Sequence, residues 1–301
     1  MIINPYVFTS NALLLDTYTN AAAAYSIRKL RTAYTGFCMN VRRTVGATSV
    51  FANVSFDSNN TVSFDSAISV TFGTSAATNL GEFAAKTGYS NPDGIAANQS
   101  IFMNIWYDQT TNARNMNQAT NTRQPRLINA GTFELLTGSS TNRITLNSNY
   151  TNPSFVAIGT SFQAKTVFTV AKVDTQNTLN YVYGGTGAAF YNGTFTGVNG
   201  LGGYDGTNVR SLTGEDLLTH LGYFNLRSSK IYAARDGGAE TDLGSFTLVN
   251  WVTTGLFGAG SGTTTTQTLR GLASEYVFFT NDESANLSAI RSNINTYYGI
   301  Y

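Results

Sequence analysis

Residues 101–118 read Ile101-Phe-Met-Asn-Ile-Trp-Tyr107 and then Asp108-Gln-Thr-Thr-Asn-Ala-Arg-Asn-Met-Asn-Gln118. The mostly apolar first part predicts a buried strand that stops abruptly. The second part packs many hydrogen-bond donors and acceptors into a short span. Two interpretations stay open. The polar segment binds a polar ligand such as a sugar, or its side chains form Asx-type turns and caps that satisfy backbone groups of the fold.

The rest of the chain repeats the pattern of short strands separated by turns. Apolar residues alternate from Val50 to Phe56 and again from Val62 to Phe72, with turn residues at positions 57–60. No change in composition marks a linker. We therefore predict an N-terminal arm at residues 1–15 and one domain at residues 16–301, an all-β antiparallel β-sandwich.

Two helices are predicted near the ends of this domain. Ala21-Ala-Ala-Ala24 opens a short N-terminal helical stretch, with Asn20 as its N-cap and Gly36 as its end. A C-terminal helix is indicated by apolar residues spaced three and four apart, which are Leu287, Ile290, Ile294 and Tyr297. Asn281 or Asp282 is available to cap it.

Composition excludes several classes of function. The 301 residues carry a net charge of +1 and only 12% charged side chains, so the basic surface of a nucleic-acid-binding protein is missing. The single cysteine, Cys38, excludes an internal disulfide and a cysteine-based zinc site. The single histidine, His220, excludes a histidine-rich metal site and is expected to be a packed or surface residue. We expect no metal, cofactor, nucleic acid or membrane partner.

Several blocks of the sequence resemble a known family. Asp16-Thr-Tyr18, Ala23-Ala-Tyr-Ser-Ile-Arg28 and Tyr34-Thr-Gly36 resemble the opening of the catalytic domain of fungal α-L-arabinofuranosidase B, and Tyr107-Asp-Gln109 resembles a second block. The same blocks, followed by Gln124-Pro-Arg126, resemble lectin-like, laminin-G-like domains of bacteriophage virion proteins. The resemblance implies a concanavalin A-like jelly roll.

The resemblance also implies a position for catalysis. In the arabinofuranosidase family the nucleophilic glutamate follows a Tyr-Gly pair on a central strand. The similar place here, Tyr183-Gly-Gly-Thr-Gly-Ala188, has no carboxylate. Retaining glycosidases need two carboxyl groups about 5–5.5 Å apart, and Asp108 alone cannot supply both. We therefore expect a protein that is not an enzyme and has no catalytic residues, with glycoside hydrolysis as the alternative.

The expected function is that of a virion structural protein: a capsid decoration, a head fibre or a tail-associated adhesin. No signal peptide is present, so we expect synthesis in the host cytoplasm and assembly into the virion, with residues 1–15 anchoring to other virion proteins. A homo-oligomer is compatible with the low charge, and a structural protein without ligand is a further alternative. The sandwich is expected to display a face that binds a glycan or a protein. For a glycan of the host surface, the expected binding residues are Tyr107, Asp108, Gln109, Asn112, Arg114, Gln118, Arg123, Tyr183 and Tyr204.

Overall fold

The structure, a computed structural model, describes residues 12–148, 156–174, 181–185, 188–195, 198–214, 216–247, 253–256 and 269–301. In chain order the strands are β1 (Ala21–Ser26), β2 (Met39–Val45), β3 (Thr48–Val54), β4 (Ile68–Phe72), β5 (Ile101–Trp106), β6 (Met116–Asn117), β7 (Arg126–Asn129), β8 (Thr132–Phe133), β9 (Leu146–Asn147), β10 (Val156–Phe162), β11 (Thr166–Val173), β12 (Tyr181–Gly185), β13 (Ala188–Phe195), β14 (Val198–Tyr204), β15 (Val209–Thr213), β16 (Thr219–Arg227), β17 (Lys230–Arg235), β18 (Thr241–Ser245), β19 (Thr253–Leu256) and β20 (Gly271–Phe279). The helices are α1 (Leu14–Thr17), α2 (Leu80–Phe83) and α3 (Leu287–Tyr298), with 3-10 turns at Asn121–Arg123 and Ser284–Asn286.

These strands form two layers, and the pairs within each layer are antiparallel. The back layer has the order β1–β20–β11–β16–β17–β18. The front layer has the order β4–β3–β2–β5–β6–β10–β19–β12–β13–β14–β15. At one side, β7 and β9 continue the hydrogen bonding from β5 to β20. The predicted antiparallel β-sandwich is confirmed.

The main hydrophobic core lies between the two layers. On β3, Val50 and Val54 point into this core, whereas the side chain of Asn53 points to the outer face of the front layer. Trp106 at the end of β5 is fully buried, and its ring lies 6.0 Å from that of Tyr25 and 6.1 Å from that of Tyr276. Removal of the apolar inner faces of both layers from water is the main favourable contribution to folding.

A second core covers the outer face of the back layer. Ile290, Ile294 and Tyr298 of α3 pack there with Phe168 of β11 and Tyr223 of β16. The i, i+4 spacing of these three α3 residues places them on one side of the helix. The predicted C-terminal helix is therefore confirmed, and its deepest aromatic residue is Tyr298.

The helix predicted from Ala21 is wrong, because this segment forms strand β1. Its six residues are all buried, and it pairs with β20 from Ala21 opposite Phe279 to Ser26 opposite Glu275. Alanine exceeds ordinary residues in helix propensity by at most about 0.7 kcal/mol per residue. Burial against two cores outweighs that preference. The N-terminal helix that the chain does form is α1, a single turn that precedes β1.

Most of the predicted arm, residues 1–11, lies outside the described residues. At the end of that arm, Leu14 and Leu15 are buried in the second core. Anchoring of residues 1–15 to other virion proteins stays a prediction.

Candidate functional site

Asp108 follows β5 and organises the polar segment that starts there. Its side chain is only 3% exposed. Oδ1 accepts hydrogen bonds from the backbone N–H groups of Ala24 and Thr110, both at 2.9 Å. Oδ2 accepts one from the Thr110 hydroxyl at 2.8 Å and one from the Arg114 N–H at 2.9 Å. This carboxylate therefore holds its own turn together and also ties that turn to β1.

Gln109 uses its whole amide on backbone groups of the segment that follows β1. Its Oε1 accepts the Leu30 N–H at 2.7 Å. Its Nε2 donates to the carbonyl oxygens of Ser26 at 3.2 Å and Arg28 at 2.9 Å. Both N–H donors of this amide are used, and because the side chain is fully buried it is not accessible to an external ligand.

Asn112 and Arg114 make similar contacts further along β1. Asn112 Nδ2 donates to the carbonyl of Ala22 at 2.9 Å, and Arg114 Nη1 donates to the same oxygen at 2.7 Å. The Arg114 guanidinium also stacks 4.8 Å from the centroid of the Phe162 ring. On the side of β1 away from β20, polar side chains thus take the place of a neighbouring strand. These contacts favour the structural interpretation of residues 108–114.

Tyr107 and Gln118 flank this segment. The Tyr107 hydroxyl donates to Asn53 Oδ1 at 2.8 Å on the outer face of the front layer. Burial raises the pKa of this hydroxyl above its usual value, so it stays protonated at neutral pH. Gln118 is buried, and its Oε1 accepts the Thr120 N–H at 3.0 Å.

The remaining predicted site residues lie apart from Asp108. Arg123 is half-buried in the 3-10 turn Asn121–Arg123. Tyr183 lies on β12, between β13 and β19, and its side chain is outside the described part of the structure, as are residues 186–187. Tyr204 ends β14, and its hydroxyl donates to the Gly206 carbonyl at 2.7 Å. Sugar binding by the predicted residues stays a prediction.

The structure reveals a surface of which the predicted site residues include only Tyr107. We call it the front groove, an opening of about 470 Å³ on the outer face of the front layer. Asn40, Asn53, Asn104 and Asn117 line it from β2, β3, β5 and β6. Each asparagine occupies an outward-facing position beside an inward-facing apolar neighbour. That alternation is the signal in the sequence that could have identified them.

Hydrogen bonds join the groove amides across the strands. Asn40 Nδ2 donates to Asn53 Oδ1 at 2.9 Å and to the Thr71 hydroxyl at 3.1 Å. Asn104 Nδ2 donates to Asn40 Oδ1 at 3.0 Å. The network holds these side chains in fixed orientations, which lowers the entropic cost of binding a ligand.

Gln124, which begins the Gln-Pro-Arg block, anchors one end of this network. It is fully buried, and its Nε2 donates to Asn104 Oδ1 at 3.1 Å and to the Gln118 carbonyl at 2.9 Å. Its Oε1 accepts a bond of 2.5 Å from Arg42 Nε. The block therefore acts beneath the groove as a support.

The groove also has hydrogen-bonding capacity to spare and an aromatic rim. Within the described residues, the exposed amide of Asn117 and the Nδ2 group of Asn53 have no hydrogen-bond partner. Phe72 is 64% exposed, and its ring lies 5.9 Å from that of Phe51 in an edge-to-face arrangement. No charged side chain lines the described groove. This surface can hydrogen-bond to a neutral polar molecule while an aromatic ring contacts its apolar face.

His220 forms a separate polar cluster on β16. Its Nδ1 lies 2.8 Å from Asp236 Oδ2, and its Nε2 lies 2.8 Å from Asp216 Oδ1. Burial alone would raise the pKa of Asp216, but hydrogen bonds from the Leu218 N–H and from His220 outweigh it and lower that pKa. His220 is thus a structural residue of the back layer that is held through both ring nitrogens.

The described ranges contain neither a metal-binding cluster nor a membrane-spanning helix. No group of three or more His, Cys, Asp or Glu side chains there could hold a metal ion. No helix of the described chain is both long and apolar enough to cross a membrane.

Solved structures match this chain, although no protein-family model and no curated protein does. A mutant GH54 α-L-arabinofuranosidase soaked with 4-nitrophenyl α-L-arabinofuranoside aligns with a TM-score of 0.57 at 14% identity. An arabinofuranosidase complexed with arabinofuranosyl-α-1,2-xylobiose aligns with a TM-score of 0.54 at 13% identity. A GH54 α-L-arabinofuranosidase soaked with a cyclic sulfate inhibitor aligns with a TM-score of 0.56 at 15% identity. Each match covers 93% of this chain but only 64% of the matched one.

These matches correct the prediction that the chain is not an enzyme. That prediction rested on the missing carboxylate at residues 183–188, whereas the matching structures of this fold are arabinofuranosidases, two of them with a substrate or oligosaccharide. The virion role has no support from these comparisons and stays a prediction. At 13–15% identity the likeness shows the fold alone. The chain therefore shares the β-sandwich of arabinofuranosidases.

Proposed function

We propose that this chain is a carbohydrate-active protein that takes a neutral glycan into the front groove. The observation that carries the proposal is a set of amides from four strands, three of them joined by hydrogen bonds, beside an exposed aromatic ring. Sugar hydroxyls both donate and accept hydrogen bonds, as do asparagine amides. The Phe72 ring supplies an apolar surface for the C–H face of a sugar.

The lack of charged side chains in the described lining of the groove favours a neutral sugar over an acidic one. Arg42 is the charged residue of the underlying network, and its guanidinium is occupied by Gln124, the Thr44 hydroxyl and the Asn121 carbonyl. Without a free cation, an acidic sugar would lose hydration without gaining an ion pair.

Glycoside hydrolysis is the reaction that the shared fold favours, and an arabinofuranoside is the substrate to test. The matching enzymes were solved with 4-nitrophenyl α-L-arabinofuranoside and with arabinofuranosyl-α-1,2-xylobiose. Hydrolysis with retention requires two carboxyl groups, and none lines the described groove. Groove geometry thus supports binding, and the fold supports hydrolysis, so the two are measured separately.

Binding is tested by calorimetric titration of the full chain with arabinofuranosyl-α-1,2-xylobiose and with neutral arabino-oligosaccharides. We expect Phe72→Ala to weaken binding about three- to tenfold, because aromatic contacts of this kind contribute about 0.5–1.5 kcal/mol. Leu218→Ala is the matched control, since Leu218 is 53% exposed and lies outside the groove. Absence of binding to all these glycans, or equal affinity in Phe72→Ala, would refute the proposed groove.

Hydrolysis is tested in the same samples by release of 4-nitrophenol from 4-nitrophenyl α-L-arabinofuranoside and of arabinose from the oligosaccharides. Hydrolysis is supported when product is released faster than in buffer alone and when this excess release disappears after heat denaturation of the protein. A rate equal to that of buffer would reject hydrolysis of arabinofuranosides and leave the binding result to stand on its own.

A further inference from the structure

A second cavity lies on the opposite side of the sandwich from the front groove. Its volume is about 440 Å³, and it opens between the α1 segment and α3, which cover the back layer. The lining side chains that matter for recognition are Thr17, Tyr18, Arg28, Arg143, Ser292 and Tyr297. We call this cavity the back pocket.

The two arginines of the back pocket differ in their partners. Arg28 binds both carboxylate oxygens of buried Glu275, at 2.9 and 3.0 Å, and donates to Asn293 Oδ1 at 3.1 Å. Arg143 donates through Nε to the Tyr297 carbonyl at 2.7 Å, and its guanidinium stacks 4.2 Å from the Tyr297 ring centroid. Within the described chain, both Nη groups of Arg143 lack a hydrogen-bond partner.

The charge balance of the pocket is consequently positive. Glu275 neutralises Arg28, and the described lining contains no aspartate or glutamate to neutralise Arg143. Stacking on Tyr297 and the bond to the end of α3 hold the guanidinium plane in place. A fixed planar fork of this kind matches the geometry of a carboxylate.

The other lining groups suit a hydroxylated molecule. Thr17, Tyr18 and Ser292 line the pocket, and within the described residues none of their three hydroxyls has a hydrogen-bond partner. The rings of Tyr18 and Tyr297 supply apolar surface between these polar groups. Side chains capable of binding a carboxylate, hydroxyl groups and an apolar face thus line one cavity.

We propose that the back pocket binds an acidic sugar, a uronic acid, with its carboxylate on Arg143 and its hydroxyls on Thr17, Tyr18 and Ser292. This site is independent of the neutral-glycan groove, because it lies on the other layer and has the opposite charge preference.

The test is calorimetric titration of the full chain with sodium glucuronate, glucose, sodium acetate and inorganic phosphate. We expect glucuronate to bind at least about tenfold more tightly than the other three, because charge-assisted hydrogen bonds and hydroxyl contacts are both needed. Arg143→Gln is expected to weaken glucuronate binding at least about tenfold. Lys165→Gln, which removes an exposed positive charge outside the pocket, is expected to leave it unchanged.

A blocking variant covers the case in which Arg143→Gln fails to fold. Ser292→Phe fills the pocket from an exposed position of α3 and leaves Arg143 intact, while Ser288→Phe places the same ring on α3 outside the pocket. Loss of glucuronate binding in Ser292→Phe alone supports the site. No glucuronate binding to the unmodified chain, equal affinity for acetate, phosphate or glucose, or unchanged binding in Ser292→Phe would each overturn it.

Discussion

At the scale of single residues, Asp108 shows how one side chain can stabilise two parts of a chain. Four donors converge on its carboxylate, from Ala24 on β1 and from the Thr110 and Arg114 region of its own turn. The carboxylate is almost completely buried. Loss of this acceptor leaves the buried N–H of Ala24 and the partly buried N–H groups of Thr110 and Arg114 without their partner. Each buried group left unsatisfied costs about 1–3 kcal/mol.

Asp108→Ala is therefore expected to lower the free energy of unfolding by about 3 kcal/mol or more. Urea denaturation followed by circular dichroism measures this change. Asp65→Ala is the control: that carboxylate is exposed, accepts a single hydrogen bond from Tyr89, and should have a much smaller effect. Equal destabilisation by the two variants would show that the Asp108 contacts do not stabilise the fold.

At the scale of elements, α3 closes the back of the sandwich. Its buried residues contact the outer face of the back layer, and Gly299 ends it in a left-handed conformation with φ of 59°. The Gly299 N–H donates to the Asn295 carbonyl at 2.7 Å, and a Cβ at position 299 would lie 2.2 Å from Ser140 Oγ. The helix thus ends at a position whose left-handed backbone and close neighbours only glycine fits.

Ile294→Ala is expected to destabilise the chain by about 2–5 kcal/mol, because it opens a cavity in the second core. Ser288→Ala on the exposed side of α3 should change stability by about 0.5 kcal/mol or less. Thermal unfolding monitored by differential scanning calorimetry compares the two. A midpoint for Ile294→Ala equal to that of Ser288→Ala would mean that α3 does not contribute to the cooperative unit.

At the scale of the whole molecule, carboxylates on distant elements couple the fold to pH. Burial alone would raise the pKa of Asp93, yet hydrogen bonds from Ser75, Ala76 and Arg43 outweigh it and lower that pKa. The same balance of burial against hydrogen bonds lowers the pKa of three further aspartates, Asp205, Asp216 and Asp282. All of them bind protons more weakly when folded than when unfolded.

The stabilisation that these four aspartates contribute is consequently expected to be fully present above the ordinary aspartate pKa of about 3.9. It is expected to be lost as the pH falls through their lowered pKa values in the folded state. Thermal midpoints measured between about pH 7 and pH 2 should be level at first and then fall below about pH 4. Asp93→Asn should reduce this fall relative to the unmodified chain. An unchanged midpoint down to about pH 2 would contradict the role of these carboxylates.

Local patterns predicted much of the architecture but little of the candidate site. The alternation in β3 and the i, i+4 spacing of Ile290 and Ile294 identify inward-facing residues from neighbours in the chain. The front groove combines residues from β2 through β6, and no local pattern states that these strands lie side by side. The polar segment after β5 showed its capacity for hydrogen bonds, but not its partners.

The antiparallel β-sandwich and its C-terminal helix could be predicted from the sequence, because the periodic placement of apolar residues sets which face of each element avoids water. Three features depend on the packing of the whole chain: Ala21–Ser26 is a strand, Gln109 hydrogen-bonds to backbone groups, and four asparagines distant in sequence line one groove. Burial between packed layers outweighs a difference in helix propensity of less than about 1 kcal/mol per residue. The hydrogen-bond partners of a side chain depend on which strands and segments lie beside it in the fold.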